Sequence, residues 1–273
     1  MWTEHSQLFG FADDTTSLVS RTDVDEACNL AAKDAENIMT FMTSNFLMAN
    51  KEKTKLLIFN PNRDDNNPPR EIKIGESNIV ESQCEKVLGL YVSNDLRWAT
   101  HIEHTKASVR YRTCMLRRLA HSMPQEHLRQ LADGLVLSKI RYGLSVYGGA
   151  IRTSDEAPVD GMIHPLEIAV NNVMRIIERV GLKDHVPIHE LRSKTNIPSV
   201  NQMTAQAVLT ESWKIVHGES SGLDGMLVEL DESGIKTRAK ANKDMKVPFG
   251  SQLFQKSFAH QGAALWNALP NDI

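Results

Sequence analysis

The sequence predicts an α+β protein: a helix laid on a small antiparallel sheet in its first third, then helices almost throughout the rest. Two patterns lead there. Short apolar runs broken by Asp, Asn, Gly and Pro crowd residues 1–95, as strands and tight turns require. From Ala99 onward the apolar residues instead recur near every 3.5 positions, the spacing of a helix with one buried face. Charge divides the chain at the same place. Residues 1–95 hold 9 Lys/Arg against 16 Asp/Glu, residues 97–152 hold 10 against 3, and residues 153–273 hold 12 against 15.

Taken in order, Leu8 to Ala12 and Ser17 to Ser20 read as two strands of a hairpin with Asp13 and Asp14 at or near its turn. Thr22 and Asp25 have capping-box spacing. The helix they would open has Ala27, Leu30, Ala31, Ile38, Phe41 and Met42 on one face and ends within Asn45 to Asn50. Thr54 to Asn60 reads as a buried strand and residues 61–70 as a loop. Glu71 to Ile74 and Asn78 to Val80 flank a turn at Gly75, and Lys86 to Val92 reads as a further strand. In the helical part, Ile102, Val109, Leu116 and Ala120 share a face. Ser122, Pro124 and Gln125 mark a second helix start, and that helix runs through Gly134, which weakens it by about 1 kcal/mol relative to Ala. Residues 152–164 are a polar link. Pro165 opens a helix closed by Gly181, Ser199 with Gln202 caps another ending at Gly218, and a last helix covers Phe258 to Leu269 before Pro270. The domains expected are 1–95, 96–217 and 218–273.

Composition narrows the function classes. No apolar run reaches the roughly 18 residues of a membrane span, so no membrane partner is expected. The first residues, with Glu4, lack the basic-then-apolar pattern of a secretory signal. Cys28, Cys84 and Cys114 are odd in number and far apart, which suits a reduced intracellular protein and neither zinc nor a disulfide framework. A net charge of −3 does not by itself call for nucleic acid. The basic segment 97–152 does, if it meets a polyanion, although basic residues on the wet face of helices are equally ordinary.

The sharpest chemistry lies in Asp13-Asp14. Adjacent carboxylates repel unless a cation neutralises them, and magnesium takes one or two carboxylates together with substrate phosphates. Asp-Asp-Thr-Thr is also an ordinary turn sequence, because Asp hydrogen-bonds its own backbone there. His101 and His104 share a helix but have no Cys spaced to help, and read as a solvated pair. Trp98, Tyr111 and Tyr142 can stack on bases, with core packing or an interface as the commoner use. Neither a phosphate loop, a serine-nucleophile elbow nor a His-Glu-x-x-His helix is present.

Phe11-Ala12-Asp13-Asp14, flanked by Gly10 and Thr15, resembles the aromatic-Ala-Asp-Asp signature of reverse transcriptases. Further matches follow in the order of LINE-type (non-LTR, jockey-like) retrotransposon enzymes: Asn50 with Lys53-Thr54, then Leu88-Gly89-Leu90-Tyr91, which resembles the primer-gripping hairpin, then Leu96-x-Trp98-x-x-His101-Ile102. Tyr142-Gly143 with Val146-Tyr147, and Trp266-Asn267-x-Leu269-Pro270 with Ile273, complete the series over nearly the whole chain. The resemblance implies an incomplete polymerase palm followed by a thumb-like helical region. It implies that Asp13 and Asp14 hold Mg2+, that Lys53 lies near the incoming nucleotide, and that Leu88, Gly89 and Tyr91 position a primer end. Lys106, Arg110, Arg117 and Arg118 would contact the backbone of an RNA template and DNA primer. A third carboxylate and the fingers lie upstream of the paired aspartates in such enzymes. With 12 residues before Asp13, the resemblance therefore implies a fragment of an RNA-directed DNA polymerase, inactive alone. The alternative is a non-catalytic nucleic-acid-binding or interaction protein.

Overall fold

A computed structural model describes residues 3–60, 68–149, 161–181, 183–219, 222–223, 225–228 and 245–270. The chain divides into two compact units, Met1–Thr100 and His101–Ile273. The class is mixed α+β, with small sheets in the first unit and helices in the second.

In the first unit, β1 (Gln7–Phe11) and β2 (Asp14–Leu18) form an antiparallel hairpin closed between Phe11 and Asp14, so its turn is Ala12-Asp13 alone. That turn is tighter than the four polar residues of the sequence suggest, and Thr15 and Thr16 belong to the second strand. Helix α1 (Val24–Ser44) is capped by Asp23, whose carboxylate accepts from the N–H groups of Asp25 and Glu26. The Thr22 capping box is thereby corrected: an acid one residue later takes the cap and offers its charge to the positive end of the helix. Asn45 closes α1, as its position implies.

The apolar face of α1 does not pack on a purely antiparallel sheet. β4 (Glu71–Ile74) and β5 (Ser77–Ser82) are antiparallel, but β3 (Leu56–Leu57) joins β5 in parallel. The core is Ile72, Ile74 and Ile79 against Cys28, Ala32, Ala35, Met39 and Leu56. Alternation places Ile72 and Ile74 on one face of β4, as a half-buried strand requires. The strand expected over Thr54 to Asn60 shrinks to two residues, and residues 61–67 of the expected loop lie outside the described part. The expected strand Lys86 to Val92 is in fact a second hairpin, β6 (Cys84–Val87) and β7 (Leu90–Ser93), folded at Leu88-Gly89.

In the second unit, α2 (Ala99–Leu119) buries His101, Ile102, Thr105, Val109, Thr113 and Leu116 along one stripe. Burying each aliphatic side chain of this kind stabilises by about 1.5–3 kcal/mol. Ser122 bonds back to the Leu119 carbonyl and does not cap the next helix; Pro124 occupies that cap without a side-chain bond. The helix that follows is interrupted. α3 (Gln125–Ala132) passes through a π-helical turn at Asp133–Leu137 into α4 (Ser138–Arg141). Widened turns loosen the regular bonding pattern. Here Arg112 of α2 donates to the Leu135 carbonyl at 3.2 Å, and Arg141 pairs with Asp133 at 2.6 Å across the turn.

Helix α5 (Leu144–Tyr147) follows Gly143. Residues 150–160, most of the expected link, lie outside the described part. Helix α6 (His164–Ile177) ends with Arg179 in the left-handed region, two residues before the Gly181 stop read from the sequence. Its Glu167 accepts from Arg192 of α7 (Ile188–Thr195) and from the N–H of Val200. Helix α8 (Val200–Val216) has the expected Ser199–Gln202 capping box. Helix α9 (Phe258–Asn267) packs on α8. Its Asn267 makes two hydrogen bonds with the backbone of Met245, at 2.7 and 2.8 Å. Among the described residues no helix is long and apolar enough to cross a membrane.

Candidate functional site

The paired aspartates sit where a hairpin turns. Ala12 has φ +53 and Asp13 does not share the positive sign, so the first turn position lies in the left-handed region that favours glycine. The β4–β5 hairpin supplies an internal comparison. Its two-residue turn is Gly75-Glu76, with φ +60 at Gly75 and the same sign pattern. The structural hairpin thus uses glycine where the aspartate hairpin holds alanine in a conformation costing about 1–2 kcal/mol for an L-residue. Asp13 stands in the turn, Asp14 opens β2, and both are exposed. Among the described residues neither carboxylate has an ion-pair or hydrogen-bond partner from another side chain. Both faces of the hairpin are exposed, with Phe9, Phe11 and Leu18 on the side that bears Asp14.

A buried acid ties this hairpin down. Asp34 of α1 is fully buried, and its carboxylate accepts from the N–H groups of Glu4 at 3.1 Å and His5 at 3.0 Å, just before β1. Burial pushes its pKa up, but hydrogen bonding from Ser6 and from the backbone N–H groups of Glu4 and His5 outweighs it, leaving the pKa below the usual carboxylate range. Asp95 is likewise engaged locally, accepting from the N–H of Arg97 at 2.9 Å. Among the described residues no three His, Cys, Asp or Glu side chains gather as a metal cage. Two exposed carboxylates at one tip fit magnesium, a hard ion that takes one or two protein carboxylates and completes its shell with water and substrate phosphates.

Lys53 is presented by a separate turn. Asn50 accepts from the N–H groups of Glu52 and Lys53 through its side chain, and its carbonyl accepts from the Thr54 hydroxyl at 3.1 Å. The Asn and Thr of that motif therefore build the short 3-10 turn Lys51–Lys53, and Lys53 projects exposed from it. Leu88 and Gly89 form the tip of the β6–β7 hairpin with φ +47 and +89, a type I′ pattern. Leucine is a poor occupant of that first position, and Leu88 is nonetheless half exposed. Behind it, Lys86 lies over the ring of Tyr91, 5.8 Å from its centroid. Asp13 with Asp14, Lys53, and Leu88 to Tyr91 thus occupy three distinct turns of the first unit.

The basic candidates lie on α2. Lys106 pairs with Glu103 at 2.8 Å, so a phosphate would have to compete with that carboxylate for it. Arg110, Arg117 and Arg118 are exposed and have no acidic partner among the described residues. Arg110 and Arg117, seven residues apart, fall within about 20° of each other around the helix, while Arg118 points roughly 80° from Arg110. Tyr111 is 69% exposed between them, and Tyr142 on the following segment is 55% exposed. Of the two commoner uses, core packing is ruled out for these tyrosines by their exposure, and an interface is not; Trp98 is half-buried. The histidine pair is corrected too. His104 is exposed, but His101 is buried edge-on against Tyr147 at 4.6 Å, with the Thr105 hydroxyl 3.4 Å from its Nε2. Burial, then His104, lowers its pKa. The seven-residue apolar recurrence of α2 carried this signal, since His101 falls in the stripe of Val109 and Leu116.

Comparison with models of protein families, with curated proteins and with solved structures finds no match for this chain.

Proposed function

We propose that this chain carries the paired-aspartate hairpin and a nucleic-acid-gripping helix of an RNA-directed DNA polymerase of the LINE retrotransposon kind. The observation behind this is the hairpin tip. Two carboxylates without a side-chain partner among the described residues, in a Phe-Ala-Asp-Asp context, are displayed by a two-residue turn that keeps alanine where the two-residue turn of the β4–β5 hairpin keeps glycine. Strain of this kind persists where surrounding structure over-determines it, and it concentrates at functional sites. Magnesium bound there would stabilise charge as a primer 3′-oxygen displaces pyrophosphate from a nucleotide's α-phosphate. The protein's part is to fix the two carboxylates, through the turn and the Asp34 clamp, and to hold polyanion along α2.

The described residues place no third acid beside the pair, and Asp34 and Asp95 are committed to backbone groups. The chain by itself is therefore expected not to extend a primer on an RNA template with magnesium. Its metal site is tested separately. With Fe2+ replacing Mg2+ in the presence of ascorbate and hydrogen peroxide, plus primer–template and nucleotide, hydroxyl-radical cleavage of the polypeptide should fall around Ala12–Thr15 and disappear in Asp13→Asn. Absent cleavage, or cleavage indifferent to Asp13, would remove the polymerase reading. Three arginines of α2 without an acidic partner among the described residues favour what would then stand, a nucleic-acid-binding protein without catalysis.

A further inference from the structure

The outward face of α2 is more than a row of charges. Tyr111 is its most exposed large apolar side chain, and helical side chains lean toward the N-terminus, over the turn that holds Ala107. Ala107 is exposed and small, leaving a face of the ring open. Met115, 43% exposed, follows one turn later on the same line. Arg118 lies within about 20° of Tyr111 around the axis, and Arg110 and Arg117 run along one flank. No acid other than Glu103, already paired with Lys106, stands on this helix.

We infer that this face binds unpaired nucleotides of single-stranded nucleic acid. Tyr111 stacks on a base beside Met115, and Arg110, Arg117 and Arg118 neutralise the flanking phosphates. This rests on the reading of α2 as a nucleic-acid contact and narrows it. The argument is one of matched chemistry. Phosphate contacts need only charge, and arginines alone would serve a duplex as well as a single strand. An exposed aromatic ring set among them offers a stacking surface, which bases present only when they are not enclosed in a duplex. The same groups would meet an acidic polypeptide or an anionic bilayer through charge alone, with no use for the ring's open face.

The test is fluorescence anisotropy of the whole chain with a labelled single-stranded RNA and with a blunt duplex of equal length, across a salt series. Single strand should bind several-fold tighter than duplex. Tyr111→Ala should weaken single-strand binding about tenfold with an unchanged salt slope and leave duplex binding as it was; Tyr111→Phe should keep the affinity. A 5-iodouridine strand should crosslink at Tyr111. Arg110→Ala with Arg117→Ala should weaken both nucleic acids and lower the salt slope. If the arginine pair matters and Tyr111→Ala does not, the stacking inference fails while α2 stays a nucleic-acid contact. If no nucleic acid binds, both fail. Equal binding of polyglutamate or anionic vesicles, insensitive to Tyr111, also overturns the inference. Tyr111 is exposed, so its replacement leaves the core of the helix intact.

Discussion

Replacing Asp34 by Ala should release the segment that leads into the aspartate hairpin while leaving α1 in place. The side chain is fully buried, and besides the hydrogen bonding from Ser6 its carboxylate accepts from two backbone N–H groups at 3.0–3.1 Å, those of Glu4 and His5. Hydrogen bonds to a charged group contribute about 1.5–3 kcal/mol each. Removing two costs about 3 kcal/mol at the lower figure, which at 1.4 kcal/mol per factor of ten is roughly a hundredfold in the local opening equilibrium. Hydrogen exchange read residue by residue should therefore show the Glu4 and His5 amides losing about two decades of protection, while amides in the middle of α1 change far less. The wild-type protein should reproduce this at low pH. The folded pKa of Asp34 lies below its unfolded value of about 3.9, so the clamp's contribution is complete above that value. It is lost as pH falls through the folded pKa. Unchanged protection of the two amides in Asp34→Ala would refute the clamp, and with it the account of how the hairpin is held.

Ala12→Gly should stabilise the first hairpin by about 0.5–1 kcal/mol, the left-handed penalty less the extra entropy of glycine, read as a shift in urea midpoint. A destabilised variant would show that Ala12 is not strained. Glu167→Ala should destabilise the helical unit by about 3 kcal/mol in urea unfolding, because Arg192 and the Val200 N–H both lose their acceptor. This is the lower end for a buried pair, since the Arg192 side chain keeps 23% exposure; a loss under 1 kcal/mol would contradict it.

The elements with one long apolar period were legible. α1, α2, α8 and α9 follow from spacing that burial enforces over several turns, and Ser199–Gln202 is a cap decided within four residues. What escaped was decided by single backbone angles or distant partners. α7 was not foreseen, because eight residues with only Leu191 and Thr195 buried give too short a pattern to show a period. The stop of α6 fell to Arg179 and not to Gly181, since a non-glycine residue adopted the left-handed conformation first. Apolar pattern alone merged β6 and β7 into one strand, because Leu88 conceals a turn that an Asn-Gly pair would have announced; the Leu88–Tyr91 motif implied a hairpin there. In the candidate site, Asp13, Asp14 and the basic residues of α2 were readable as residue types. The burial of His101, the Glu103 hold on Lys106 and the exposure of Tyr111 depend on how α2 is rotated about its axis, which apolar spacing fixes only to within a neighbouring residue.

The two hairpins singled out by motif are also the two that carry a non-glycine residue in the left-handed region of their turns, Ala12 and Leu88. The β4–β5 hairpin, which serves the core through Ile72, Ile74 and Ile79, does not. If turn residues were chosen for stability alone, the distribution would run the other way, because an exposed tip gains nothing from a strained alanine or a half-exposed leucine. Non-glycine residues also take the left-handed conformation at Phe46, Leu96, Arg179 and Asn196; on the proposed function, the two hairpin tips are the ones held for another purpose, since local rules are expected to fail at functional sites. At Ala12 that purpose has a geometric form: a side chain there limits the turn to fewer conformations than glycine would, and the carboxylate of the next residue, Asp13, inherits the restriction. At Leu88 the apolar side chain itself is displayed. The strain thus separates the displayed tips from the structural one without reference to any family, and it does so on the same residues that the Phe-Ala-Asp-Asp and Leu-Gly motifs select.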